Sequence, residues 1–433
     1  MSVEYVPLRY VTSVLARGTA PNYVDDGPVR MVSQAANQDS GLDWERTRFH
    51  EFAGDPRKLK GYLEFGDSLV NSTGTGTLGR VGWFEKSPDE RPCVADGHVT
   101  VTRFDPTRVD KRFGFYYLKS DEFQEFMFET LVNGSTNQIE LSRERMGAVS
   151  MPVPPLEEQR RIADFLDAET ARIDKFISAL IKELKLFAER RSAGVAHLVA
   201  GGDATSRRRS TLAWLTSVPE HWEEVRLGLV ARMGSGHTPS RNHPEWWVDC
   251  NIPWVTTGEV SQLRDDRLED LTDTREKISE IGLENSAAEL HPKGTVFLCR
   301  TAASAGYSGV MGLDMATSQD IVTWTCGPRL TPYYLLWCLR AMRPDLLGRL
   351  AMGSTHKTIY VPDLQMLRIP LPSVDEQRRI VEAIRKQNRR LDALSDNVQR
   401  QRGLLSERRQ ALITAAVTGE FDVSAASGRG IEE

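Results

Sequence analysis

The chain is short of most things that would make it a recognisable catalyst. Among its 433 residues it has five cysteines, Cys93, Cys250, Cys299, Cys326 and Cys338, with no C-x-x-C pair and no zinc-like spacing. That excludes a disulfide framework and a structural zinc site and leaves reduced, buried thiols as the expectation, with no metal site. No phosphate-cradling G-x-x-x-x-G-K-[ST] loop, H-E-x-x-H helix, nucleophile elbow or Asn-Pro-Pro-aromatic motif is present. The eight histidines supply no acid/base group shared between corresponding segments of the chain. Catalysis by this chain alone is therefore not expected, and neither is a cofactor of its own. Positive charge is also missing in bulk: 55 basic against 60 acidic residues give a formal charge of −5, so any contact with nucleic acid must come from local patches. No apolar run approaches the roughly eighteen residues of a membrane span, and MSVEYVPLRY lacks the basic-then-apolar pattern of an export signal. The expected compartment is the cytoplasm, without membrane association.

With 40% hydrophobic residues over this length, the chain can bury more than one core. The stretch LVNSTGTGTLGRVG, residues 69–82, places Gly74, Gly76 and Gly79 in G-x-G-x-x-G spacing, with Asp96 twenty residues beyond Gly76. A dinucleotide site needs that loop to follow a strand and open a helix, so that helix N–H groups face the pyrophosphate. The segment 62–71 reads as a strand with a Gly66-Asp67 turn, but downstream RVGWFEKSPDERP brings Gly82, Pro88 and Pro92 and no helix start. A hairpin loop rich in Gly, Ser and Thr is the better interpretation, and such a loop can still offer N–H and hydroxyl groups to phosphate.

The most informative feature is duplication. PVPPLEEQRRIA (152–163) recurs as PLPSVDEQRRIV (370–381), NGSTNQI (133–139) as MGSTHKTI (352–359), and PLRYVTSVLARGTAP (7–21) resembles EVRLGLVARMGSGHTP (224–239). Each copy is a mixed segment followed by a charged one. In the charged segments, Leu166, Ile173, Leu180 and Phe187 step by seven, as do Ile384, Leu391, Val398, Leu405 and Leu412, with Ile162, Phe176, Ile380 and Leu394 flanking. Each Pro-rich lead-in stops a strand, and the acidic pairs Glu157-Glu158 and Asp375-Glu376 suit a helix first turn. The pattern predicts two helices of roughly forty residues, on the order of 60 Å each. They pair most simply with each other about a pseudo-two-fold axis, which makes them antiparallel and holds the two mixed domains at opposite ends of a rod. Arg400, Arg402, Arg408 and Arg409 near the end of the second helix form a basic, solvated face.

The resulting layout is α+β: a first recognition domain 1–151, a first spacer helix region 152–200, a linker 201–216, a second recognition domain 217–369, a second spacer helix region 370–420 and a tail 421–433. Helical stretches are expected at 120–134 and 331–342. Two divergent readers at a set distance suit a DNA site whose halves lie about 34 Å or a multiple apart. The loop residues with the right chemistry are Ser72, Thr73, Thr75, Thr77, Arg80, Ser135, Thr136 and Asn137 in the first domain. In the second they are Arg300, Thr301, Ser304, Tyr307, Ser354, Thr355, His356 and Lys357. Each hydroxyl serves equally well as a turn-former or cap. Trp246-Trp247 suit either stacking on a base or burial against the strand WVTT. Two alternatives stay open: a coiled-coil scaffold joining proteins, and an oxidoreductase using the Gly74-Gly76-Gly79 loop.

The duplicated PVPPLEEQRRIADFLD and PLPSVDEQRRIVEAI, the GST-x-x-x-I segments before them, VPEHWEEVRL with IPWVTTGEV, and GDSLVNSTGTGTLGRVG carry a resemblance. The chain resembles the specificity (S) subunit of type I restriction-modification systems over nearly its whole length. The resemblance implies two target-recognition domains separated by paired helices and bound to double-stranded DNA. It also implies two modification (methyltransferase) subunits that bind S-adenosylmethionine and methylate adenine, and restriction subunits that hydrolyse ATP. It transfers no base-contacting residues, because the recognition domains of this family vary where they read DNA.

Overall fold

The computed structural model describes residues 4–74, 76–133, 140–202, 204–352 and 358–423. The chain divides into two compact units, Met1–Leu180 with Arg400–Glu433, and Ile181–Gln399.

In the first unit, β1 (Glu4–Pro7), β2 (Thr12–Arg17), β3 (Ser68–Asn71), β4 (Val81–Trp83), β5 (Val99–Phe104) and β6 (Ser150–Val153) form two antiparallel groups. β1 pairs with β6, Glu4 opposite Val153, and the others form a sheet in the order β2-β5-β3-β4. A second sheet sets Val29–Val32 parallel to Cys93–Ala95. Helices α1 (Lys111–Lys119) and α2 (Asp121–Phe126), followed by a π-turn at Met127–Leu131, lay Phe113, Tyr116, Tyr117 and Phe123 into one core with Val70 and Phe104. Asp110 caps α1 by accepting from the N–H groups of Arg112 and Phe113. The long helix α3 (Leu156–Val199) starts after Pro154-Pro155 with Glu157 and Glu158 in its first turn, and its Ile162 and Leu166 close this core together with Ile413, Ala416 and Val417.

The second unit repeats the plan. β7 (Glu223–Arg226) pairs with β12 (Arg368–Leu371), Glu223 opposite Leu371. The strands β8 (Ala231–Ser235), β9 (Val296–Cys299), β10 (Ser308–Met311) and β11 (Ile321–Cys326) take the order β8-β11-β9-β10, the same as in the first unit. An extra strand, Asp270–Leu271, joins β10 in parallel at the edge. Ile252–Val255 lies parallel to Ala316–Thr317, as Val29–Val32 does to Cys93–Ala95. Helix α4 (Pro332–Asp345) buries Tyr334, Leu335, Trp337 and Cys338 and ends in a π-turn at Leu346–Leu350. The second long helix, α5 (Val374–Thr418), packs Val381 and Ile384 with Val195 and Val199 of α3.

Within each unit the long helices run antiparallel. In the first, Arg409 pairs with Asp174 at 2.9 Å while Phe165 stacks on Phe421; in the second, Arg191 pairs with Asp392, and Gly194 leaves room for Gln387. Arg191 and Arg409 are repeat-equivalent, and so are Asp174 and Asp392, so one ion pair is made twice.

Three expectations are corrected. The seam expected at Leu166, Ile173, Ile384, Leu391 and Val398 is buried, and Leu180, Phe187, Leu405 and Leu412 are half-buried, but the flanking Phe176 and Leu394 are 54% and 48% exposed. Thr170 and Asn388 take the buried flanking places instead, because a straight α-helix of 3.6 residues per turn drifts away from a strict seven-residue repeat. The stretch given to a linker contains a strand, Arg207–Arg209, paired with Ser217–Pro219, where the Arg207 guanidinium donates to the carbonyls of Ala200, Gly202 and Ser217. The helical stretch of the first domain starts at Lys111, nine residues before the expected position, and breaks at Ser120. The Gly74-Gly76-Gly79 loop is the expected hairpin: it joins β3 to β4 antiparallel and opens no helix, so the alternative of a dinucleotide site has no geometry there.

Candidate nucleic-acid interface

Each unit gathers three loops at one edge of its sheet. In the first, the β3–β4 hairpin loop meets the short ribbon Val132–Asn133/Glu140–Leu141 through the bridge of Thr73 with Glu140 and the bond from Leu141 N–H to the Ser72 carbonyl, 2.9 Å. The third loop enters when Ser72 N–H donates to the His98 carbonyl at 2.8 Å and the Thr73 hydroxyl meets His98 Nδ1 at 2.8 Å. In the second unit, the β9–β10 loop meets the ribbon Ala351–Met352/Thr358–Ile359 through Thr301 with Thr358, and Ile359 N–H donates to the Arg300 carbonyl, 2.8 Å. Arg300 N–H donates to the Asp320 carbonyl at 2.9 Å, and the Thr301 hydroxyl donates to Asp320 Oδ1 at 2.8 Å. The two edges are thus superimposable in their bonding while their side chains differ: His98 becomes Asp320, and Ser72 becomes Arg300.

A glycine with positive φ closes each hairpin at the same place. Gly79 (φ 78°) donates to the Asn71 carbonyl and Gly306 (φ 83°) to that of Cys299. A Cβ at Gly79 would sit 2.2 Å from Met127 Cε, and one at Gly306 would sit 3.0 Å from Arg343 Cγ, so the π-turn side of each domain packs directly under its loop.

The expected contact residues fall into three groups. Thr75, Ser135, Thr136, Asn137, Ser354, Thr355, His356 and Lys357 lie outside the described residues. Ser72 and Ser304 are interior: Ser72 bonds Thr100 at 2.5 Å, and Ser304 accepts from Arg264 at 3.4 Å. The rest are half-buried and engaged locally. The Thr77 hydroxyl donates to the Thr73 carbonyl, and Arg80 reaches the Asn37 carbonyl and Gln38 at 3.1 Å each and Asp39 at 3.0 Å. Arg300 holds the Gln319 carbonyl at 2.9 Å, and Tyr307 lies under Arg343 at 4.3 Å. Most of these side chains therefore shape the loops. Among the described residues, exposed groups on the same edges that sequence reasoning did not select include His98 and Glu140 in the first unit and His237 and Gln319 in the second. The one available signal was the correspondence of Asp96-Gly97-His98 with Ser318-Gln319-Asp320. Beneath the first edge, burial raises the Asp96 carboxyl above its ordinary range against the opposing bond from the His98 N–H. Burial also lowers Arg17, which pairs with Glu140 beside the ribbon. Trp247 packs edge-on to Trp254 of the strand WVTT at 5.9 Å, whereas Trp246 stacks on exposed His243 at 4.2 Å.

Sequence reasoning also missed the residue that joins each domain to its helix. Gln159 is fully buried. Its amide donates to the carbonyls of Pro154 (2.7 Å) and Arg108 (3.0 Å) and accepts the N–H of the α1 cap Asp110 (2.7 Å). Gln377, also fully buried, makes the same three bonds, to Pro372 (3.0 Å), Arg329 (2.8 Å) and the N–H of the α4 cap Thr331 (2.8 Å).

Among the described residues no group of three or more His, Cys, Asp or Glu is placed to hold a metal ion, and no helix is long and apolar enough to cross a membrane. The sequence matches the family described as "Type I restriction modification DNA specificity domain" over residues 53–186 and 219–399, more than half of the chain and once per unit. The chain belongs to this family. Its function is DNA sequence specificity. A relative is the type I restriction enzyme EcoBI specificity subunit of Escherichia coli, 21% identical over 343 residues, covering 76% of this chain and 70% of the relative. A second is the putative type I restriction enzyme MjaX specificity subunit of Methanocaldococcus jannaschii, 20% identical over 404 residues, covering 89% and 85%. The fold matches a chain solved in work on complex assembly and conformational transition of the type I R-M system, with TM-score 0.72, 19% identity and coverage of 97% of this chain and 100% of that one. It also matches the HsdS subunit from Thermoanaerobacter tengcongensis, with TM-score 0.51, 19% identity and coverage of 96% and 97%.

Proposed function

We propose that this specificity chain reads a bipartite, asymmetric DNA site, one half with each three-loop edge, and leaves a gap between the halves unread. The observation that carries this is the pair of edges with one bonding plan and different side chains: equal scaffolds approach the groove in the same way, and unequal side chains select different bases. The chain is a non-catalytic subunit. Methyl transfer with S-adenosylmethionine and ATP hydrolysis belong to modification and restriction subunits that assemble on it.

Two modification subunits per chain fit the exposed apolar positions of the long helices. Phe176 and Leu394 are repeat-equivalent, 54% and 48% exposed, and so are Leu186 and Leu404, 61% and 58% exposed. Each unit therefore offers one such residue from each helix, as two copies of one partner require. The test is a map of methylated adenines in host DNA with and without the gene. A gapped, asymmetric motif should vanish on deletion and return on complementation; a motif that persists unchanged in the deletion strain sinks the proposal.

A further inference from the structure

The two units share their backbone plan and their glutamine joint, but they carry opposite charge where the recognition domain meets the long helix. Positions 167 on α3 and 385 on α5 are repeat-equivalent. In the first unit the position is acidic: Asp167 accepts from Arg112 Nε at 3.0 Å and from the Tyr116 hydroxyl at 2.6 Å. In the second it is basic: Arg385 donates to Glu269 from Nε at 3.1 Å and from Nη2 at 2.7 Å, and its guanidinium lies 4.5 Å over Tyr333. Counted from the cap residues that bond Gln159 and Gln377, Arg112 and Tyr333 each stand two residues into their helices and occupy the same place. Glu269 has been added in the second domain by the extra edge strand that begins at the next residue, Asp270. The groups are partly shielded, with side-chain exposures of 32% and 39% for Arg112 and Asp167, and 29% and 13% for Arg385 and Glu269.

We propose that Arg112–Asp167 and Glu269–Arg385 act as a key that matches each recognition domain to its own long helix, so that the two domains of this chain are not interchangeable. The inference rests on the functional reading above only in its DNA readout. The first domain set on the second helix brings Arg112 against Arg385. The second domain set on the first helix brings Glu269 against Asp167. Both misfits place like charges within hydrogen-bond range at a partly desolvated contact, where repulsion is screened little. The shared glutamine joint accepts either domain, so the charge pair discriminates where the joint does not.

The test has two arms. In the first, residues 4–153 replace residues 223–371, giving a chain with the first domain twice, assembled with its modification subunits. Retaining Arg385, this chimera should methylate its symmetric site at least tenfold less than the same chimera carrying Arg385→Asp. Equal methylation by the two chimeras overturns the key. The second arm needs no DNA. In the otherwise native chain, Glu269→Arg and Arg385→Glu should each lower the melting temperature, and the double variant should recover most of the loss. Additive losses overturn the key even if the chimera does not fold. If native protein yields no methylation motif, the functional reading fails and the melting arm alone decides the key.

Discussion

At the scale of single residues, Gln159 and Gln377 hold the domain–helix joint together. Each is buried and saturates two carbonyls and one N–H that have no water to turn to. Gln159→Leu keeps the volume and strands all three groups, at a cost of at least about 3 kcal/mol, since each unmet buried polar group costs about 1–3 kcal/mol. Gln377→Leu should do the same in the second unit. Gln159→Glu should be no milder, because a carboxylate cannot donate to two carbonyls. Urea unfolding checks this: if the Glu variant unfolds at the wild-type midpoint, the hydrogen-bond account is wrong. The glutamine was visible in the repeated Glu-Gln-Arg-Arg-Ile as a shared letter but not as a joint, because two of its three partners lie about fifty residues upstream. The same limit applies to Ser72 and Arg80. Their residue types suit phosphate contact, and only the fold reveals that Thr100 and Asp39 engage them.

At the scale of elements, the long helices were legible because three local signals agree in them: proline stops, acidic first turns and an apolar step of seven. Helix α1 was not, since its nine residues include Gly114 and a run of aromatics of weak helix propensity, and it is burial under the sheet that makes them helical. The start of α5 carries a further device that the first-turn acid alone does not reveal. The Ser373 hydroxyl accepts from Glu376 N–H, and Glu376 accepts in return from Ser373 N–H at 3.0 Å, from its hydroxyl at 2.7 Å and from His221 at 2.8 Å. Burial works to raise this carboxyl, but the bonds from His221 and Ser373 outweigh it and hold it at about 2. A carboxylate depressed in the folded state contributes stability that is present above its unfolded value, about 4.3, and is lost as pH falls toward 2. Melting of the native chain should therefore fall across that window, and Glu376→Gln should flatten the fall while lowering stability at pH 7. An unchanged pH slope would remove Glu376 from the account. Pro155 holds the place of Ser373 in the first unit and offers no hydroxyl, so the effect belongs to the second helix alone.

At the scale of the whole chain, duplication was the legible fact, because a sequence offset needs no folding physics to be seen. The strand orders β2-β5-β3-β4 and β8-β11-β9-β10 then follow as one topology used twice. What the offset hides is where the copies differ by design, as at Asp167 and Arg385, since a sign change looks like ordinary divergence until its partner is known. If one recognition half belongs to each copy, the helices joining them are a ruler, and their length should set the unread gap. Inserting four helix-forming residues between Lys182 and Glu183 and four more at the repeat-equivalent point, between Arg400 and Gln401, lengthens each helix by about 6 Å and rotates it by roughly 40°. Successive base pairs rise about 3.4 Å and turn by about 35°. The expected outcome is therefore a methylation motif with both half-sites unchanged and a gap longer by one to two base pairs. Half-sites that change with the insertion would mean that the recognition edges themselves were disturbed, and an unaltered gap in a still-active complex would mean that something other than helix length measures the DNA.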